Sequence, residues 1–392
     1  MQLADFAFGE HRLPVAVGRG RGPPVGGHHY SVTAALPVHL NRVCHARHDP
    51  DGDGNDPLRQ EKRLSSPFGG EAVVLEGGMR FLFFRLPGYL LFTALVLAGV
   101  QALHSDDMQR TFPAAGSFVE VDGLSFHVLR QGQGSPVLLL HGCPGFADDF
   151  RITADGGPGV FELLAVDHDV IAIDRVGYGY TDGGDDGVLG LFGQADLLPG
   201  LLAALGVDSA VLVGHSYGAS LSLATAVRHP EVVDGMLLLG GAVYGEGVEP
   251  GFLEHLAAAP VLGPLVSRSL APLLAPLVEE GLAEAFAPDA LPPGYAGRFA
   301  IHLARPGPMV QRAHEIMGLA PALDAIAPAY RGIKVPVTIV VGGEDTRALA
   351  NNRRLAENLA QAKYVEIPGI GHEIPHLRAR LVADEVRGLL VR

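Results

Sequence analysis

The sequence predicts a doubly wound α/β domain with a mostly parallel sheet and an inserted helical lid, and three observations carry that prediction. Continuous apolar runs recur at residues 136–140, 170–173, 210–213, 236–239, 335–341 and 364–367. Strands that are apolar without alternation belong to sheets covered on both faces. Helix-length patterns lie between them, at 191–205, 219–228 and 347–360, and 377–390 closes the chain. Strands alternating with helices define the class. The third observation is an interruption. Between about Gly245 and Arg331 the chain offers Ala/Leu-rich helical pieces broken by prolines, at 253–259, 261–270 and 273–286, and no strand. Roughly 85 residues is too long for an ordinary connection, so this stretch reads as a lid or a small separate unit. Its apolar stripes read chiefly as packing onto the sheet.

The elements follow in order. Residues 118–121 and 124–130 flank Asp122-Gly123, a strong two-residue hairpin signal, so the sheet opens with a hairpin. The core then spans 110–244 and 332–392, with the lid at 245–331.

Composition limits the function. Of 392 residues, 48% are hydrophobic and 18% charged, which supports a sizeable core and excludes a wholly disordered chain. The 29 Lys and Arg against 43 Asp and Glu give a net charge of −14, which disfavours nucleic acid as a partner. The acidity lies in the folding part: residues 86–392 hold 19 basic and 34 acidic side chains, residues 1–78 only 8 and 9. Cys44 and Cys143 are too few for a disulfide framework or a cysteine metal site.

Residues 1–78 carry 12 Gly, 7 Pro and 6 of the 17 His, with no sustained apolar period. They read as a disordered leader, and Met79 reads as the initiator. The run Asp49-Pro50-Asp51-Gly52-Asp53-Gly54 lacks the later Glu of a calcium loop. The pair His28-His29 reads as solvated. Residues 79–105 read as a signal anchor or signal peptide. Arg80 and Arg85 precede 18 uncharged residues, 86–103, and Asp106 and Asp107 follow. An uncleaved segment 81–103 would anchor the protein in a membrane with everything after residue 104, the folded domain included, extracytoplasmic. Cleavage near Val100-Gln101-Ala102 would make it secreted or periplasmic.

The chemistry centres on Gly214-His215-Ser216-Tyr217-Gly218, which follows an apolar strand and precedes a helix pattern. G-x-S-x-G in that setting forces the serine onto a tight turn and lifts its hydroxyl above the sheet. Glycines flank it because a Cβ there would collide with a neighbouring element.

From these residues the stretch 118–392 resembles the α/β-hydrolase fold family, in its lidded serine-hydrolase branch. The resemblance implies the chain order nucleophile, acid, histidine. It assigns Ser216 as nucleophile, with Gly214 and Gly218 as the nucleophile elbow. Asp345, in Gly342-Gly343-Glu344-Asp345, is the implied acid, and His372, in Pro368-Gly369-Ile370-Gly371-His372, the implied base. Glu344 and Glu246 remain alternative acids, and His376 an alternative base. His141-Gly142-Cys143-Pro144-Gly145 is similar to the family's oxyanion turn, so the backbone amides of Cys143 and Tyr217 would form the oxyanion hole. Asp174-Arg175 reads as structural, and His141 and His215 as orienting loops.

The implied reaction is hydrolysis of an ester, or a similar acyl bond, of a mainly apolar small molecule through an acyl-enzyme, with no metal or cofactor. A serine at 216 disfavours the dehalogenase and epoxide-hydrolase chemistry that relatives perform with aspartate there. Acyl transfer, perhydrolysis and C–C bond hydrolysis use the same triad. A non-catalytic binder on this scaffold is the alternative from another class.

Overall fold

The computed structural model describes residues 88–89, 91–96, 99, 111–183, 189–260, 263, 278–303 and 306–390. All belong to one of the chain's two compact units. The leader assigned to 1–78 lies outside the described residues, as does most of the expected helix at 261–270.

Eight strands form one sheet in the order β1-β2-β4-β3-β5-β6-β7-β8. They are β1 (Ser117–Val121), β2 (Leu124–Gln131), β3 (Ser135–Leu140), β4 (His168–Ile173), β5 (Ala210–His215), β6 (Val233–Leu239), β7 (Val337–Gly342) and β8 (Ala362–Ile367). The pairs β1–β2 and β2–β4 are antiparallel and the remaining pairs parallel. The Asp122-Gly123 signal holds: both residues have positive φ, 49° and 82°, as a right-twisting two-residue hairpin requires.

The central apolar runs read as strands because both faces of each are covered, whereas the edge strand β8 is only half-buried. Successive side chains point to opposite sides of a sheet. Leu138 and Leu140 therefore enter one core while Val137 and Leu139 enter the other. The first core is completed by α2 (Leu191–Ala204), α3 (Tyr217–Arg228) and α8 (Leu349–Asn358). The second is completed by α1 (Val160–Leu164) and α10 (Ala379–Leu390), which the four-residue α9 (Ile374–Leu377) precedes. Burying one such leucine contributes about 1.5–3 kcal/mol.

Between β6 and β7 lie α4 (Phe252–Ala257), α5 (Val278–Phe286), α6 (Tyr295–Leu303) and α7 (Pro306–Ile326). The insertion is helical as expected, yet its longest element differs from expectation. Helix α7 runs 21 residues, with Pro306 at its first position and Pro321 inside. Pro306-Gly307-Pro308 reads as a loop in sequence, but proline in the first turn sacrifices an N–H that has no helical partner anyway.

One buried ion pair ties α7 to the sheet. The Arg175 side chain, on the loop after β4, donates through Nη1 to Oε1 of Glu315 at 2.5 Å, and both side chains are fully buried. Tyr178 Oη and Gln194 Nε2 donate to the same carboxylate at 2.8 and 2.7 Å. That carboxylate joins the insertion to the loop after β4 and to helix α2.

Near the start of the described chain, residues 91–96 are helical, and Leu91, Phe92 and Leu95 are exposed. Among the described residues no helix is long and apolar enough to cross a membrane. Much of the span expected at 86–103 lies outside the described residues.

Replacing Glu315 with Ala should destabilise the domain by about 3–5 kcal/mol, because Arg175 would stay buried without its counter-charge. Denaturant unfolding measures this, and a loss below about 1 kcal/mol would contradict the assigned role.

Candidate active site

Strand β5 ends at His215 and helix α3 begins at Tyr217, so a single residue turns the chain from strand to helix. Ser216 makes that turn with φ 54° and ψ −113°, a conformation that costs a non-glycine residue about 1–3 kcal/mol. Its N–H donates to the Leu239 carbonyl at 2.9 Å, which pins the strained residue to β6. The flanking glycines answer to crowding. A Cβ on Gly214 would lie 2.3 Å from the Gly218 carbonyl oxygen, and one on Gly218 only 2.0 Å from that of Leu140. No larger residue fits either place.

The other two predicted residues follow the C-terminal ends of β7 and β8. Asp345 is buried, and its Oδ1 accepts the Ala348 N–H at 3.2 Å. Its Oδ2 accepts from His372 Nδ1 at 2.7 Å. Burial works against the charged His372 ring, but the charge and hydrogen bond of Asp345 outweigh it and hold the ring's pKa above the ordinary histidine value. Burial likewise pushes the Asp345 carboxyl up, and the imidazole brings it back below the ordinary aspartate value.

Ser216, Asp345 and His372 line one cavity of about 270 Å³. Among the described residues no hydrogen bond joins the Ser216 hydroxyl to the His372 ring. In substrate-free sites such contacts are often long and tighten only with substrate bound.

Gly142 and Cys143, on the loop after β3, line the same cavity. Tyr217 opens α3, where helix geometry leaves the backbone N–H without an intrahelical acceptor. The Cys143 thiol contacts Tyr178 Oη at 3.3 Å, and burial pushes its pKa well up, so it is a poor nucleophile.

The competing candidates separate cleanly. Glu344 is exposed. Glu246 pairs with Arg354 at 3.2 Å on the surface. His376 bonds the Ile152 carbonyl through Nδ1 at 2.8 Å, and burial lowers its pKa to about 4. His141 accepts the Arg175 backbone N–H at its Nε2 at 2.9 Å, so its Nδ1 donates to the Gly142 carbonyl at 2.8 Å. Arg175 also donates to the carbonyls of His141 and Gly142, at 3.0 and 2.8 Å, which makes it the support of the loop after β3. The loop-orienting reading of His141 and the structural reading of Arg175 both hold.

Sequence reasoning missed three groups in the cavity wall. Asp149 is buried, accepting from the Phe146 N–H and from the hydroxyl of Tyr295 on α6, each at 3.0 Å. Arg312 on α7 pairs with Glu254 on α4, which places an ion pair in the cavity wall. Glu373 borders the cavity beside His372, and burial raises its carboxyl pKa to about 7. Only Glu373 had a signal in sequence, its adjacency to the predicted base. Together with His215 and His372 it forms the one group among the described residues whose donors have the spacing of metal ligands.

Residues 135–379 match the model of the alpha/beta hydrolase fold, and the chain belongs to that family. Over 128 residues it is 34% identical to a 2-hydroxymuconate semialdehyde hydrolase of Pseudomonas putida, covering 33% of this chain and 44% of that protein. The chain thus spans less than half the length of that relative. A 2-(acetamidomethylene)succinate hydrolase of Mesorhizobium japonicum is 28% identical over 287 residues, covering 69% of this chain and 94% of that protein. Among solved structures, a thermophilic esterase from Thermogutta terrifontis superposes with a TM-score of 0.57 at 20% identity, covering 71% of this chain and 98% of its own. That likeness speaks for the fold.

The electrostatics make a direct prediction. Histidine NMR should show His372 titrating above 6.5 in the native protein. In Asp345→Asn the charge is gone, desolvation dominates, and the ring should titrate below 6.5. An unchanged titration would contradict the pairing.

Proposed function

We propose that the protein is a serine hydrolase that cleaves an ester, or a similar acyl bond, of a mainly apolar small molecule. The observation that carries this reading is the strained Ser216 opening into the same cavity as a His372 ring held by Asp345. His372 takes the Ser216 proton as the hydroxyl attacks the acyl carbon. Asp345 fixes the ring so that Nε2 faces the reaction, and stabilises the imidazolium. The amides of Cys143 and Tyr217 receive the oxyanion, each such donor contributing about 3 kcal/mol to transition-state stabilisation. The leaving alcohol takes the proton from His372, and water activated by the same ring releases the acid.

The helical insertion acts as the lid over this site. Leu253, Leu282, Leu303 and Met309 from its helices line the cavity, which supports an apolar substrate. A second reading, C–C bond hydrolysis by the same triad, is favoured by the local similarity to the semialdehyde hydrolase. The uncharged run 86–103, with arginines before and aspartates after, supports a signal anchor that places the domain outside the cytoplasm.

A p-nitrophenyl ester series of increasing chain length tests the reaction class. Turnover should be measurable with native protein and fall by roughly 10⁴- to 10⁶-fold in Ser216→Ala. Equal turnover in the two proteins would end the proposal.

A further inference from the structure

The strongest unused feature lies against the proposed base. One ring nitrogen of His215, one of His372 and a carboxylate oxygen of Glu373 all lie within 4.8 Å of one another. These are the donor types that zinc selects, two imidazoles and a carboxylate. With bonds of about 2.1 Å, a tetrahedral ion would hold neighbouring donors about 3.4 Å apart, so a contraction of no more than roughly 1.4 Å completes the set.

The hydrogen bonds prepare both rings. His215 Nε2 lies 3.1 Å from the His372 carbonyl and donates to it in the tautomer whose Nδ1 carries the lone pair a metal would take. His372 Nδ1 donates to Asp345, leaving Nε2 with its own. A carboxylate holding one nitrogen of a histidine while the other binds metal is the usual outer support of such sites. Glu373 has an alternative partner in His376, whose Nε2 lies 3.7 Å from Oε2. That ring donates its Nδ1 proton to the Ile152 carbonyl, so in its neutral form Nε2 has no proton to give Glu373.

We infer that His215, His372 and Glu373 form an inhibitory site for a divalent transition-metal ion, Zn²⁺ in the first instance, on the floor of the active-site cavity. Bound there, the ion occupies the His372 lone pair that would otherwise accept the Ser216 proton. Solvent in the cavity supplies the remaining ligand. Binding stands on these three side chains alone, whereas inhibition rests on the hydrolase reading.

Isothermal calorimetry of the full chain with ZnCl₂ at neutral pH tests binding, and p-nitrophenyl ester hydrolysis over a Zn²⁺ series tests inhibition. The native protein and Ser216→Ala should share one binding event that weakens at least about 10-fold in Glu373→Gln. Binding by the six histidines of residues 1–78 is common to all three proteins and drops out of the difference. The Zn²⁺ concentration for half-inhibition should rise by the same factor in Glu373→Gln. Superimposable isotherms of the native protein and Glu373→Gln would overturn the site. Loss of the binding event in Ser216→Ala would overturn the three-ligand assignment. Zn²⁺ binding that depends on Glu373 in a protein inactive on esters would sustain the site while ending the hydrolase reading. Should Glu373→Gln not fold, as judged by circular dichroism, His215→Gln carries the same comparison.

Discussion

Everything in the site depends on how closely α3 is allowed to approach the sheet. Gly218 sits against the Leu140 carbonyl, and Gly214 against Gly218 itself, with no room for a side chain in either place. Only this contact lets the chain reverse from β5 into α3 within one residue, and Ser216 absorbs the strain at φ 54°. The cost of about 1–3 kcal/mol is borne by the buried strands around it, whose leucines and valines are fully enclosed. A less rigid sheet would relax the turn and lower the serine back among its neighbours.

Parallel pairing does the rest of the positioning. Because β3, β5, β7 and β8 run the same way, the loops after all four emerge along one edge. Those loops bring Cys143, Ser216, Asp345 and His372 to one cavity although 157 positions separate the serine from the histidine. Residues of the insertion line the same cavity, and the Arg175–Glu315 pair holds α7 to the core. Arg175 also holds the His141 and Gly142 carbonyls, so one guanidinium links the fixing of the insertion to the shape of the loop after β3.

Much of this was legible in sequence, for identifiable reasons. The central strands were readable because a strand buried on both faces is apolar throughout, as 137–140 is in β3, and β1 and β2 because Asp122-Gly123 marks the hairpin between them. The elbow was readable because a one-residue reversal needs glycines at fixed offsets. The choice of Asp345 over Glu344 rested on resemblance, and the structure separates them by burial: one is enclosed against His372, the other exposed. What sequence did not reveal depends on contacts between distant residues. The 140 positions between Arg175 and Glu315 leave no local trace. Helix α7 was hidden by its opening prolines, which signal a loop when context is unknown. The Arg312–Glu254 pair and the Asp149–Tyr295 bond arise only once insertion and core are packed together.

The most direct test of the central claim is chemical labelling followed by peptide mapping. A fluorophosphonate reacts with a serine only where a neighbouring base and an oxyanion site activate it. The account predicts stoichiometric labelling of the native chain on the single peptide that contains Ser216. An unlabelled protein, or a label carried by any other residue, would contradict it.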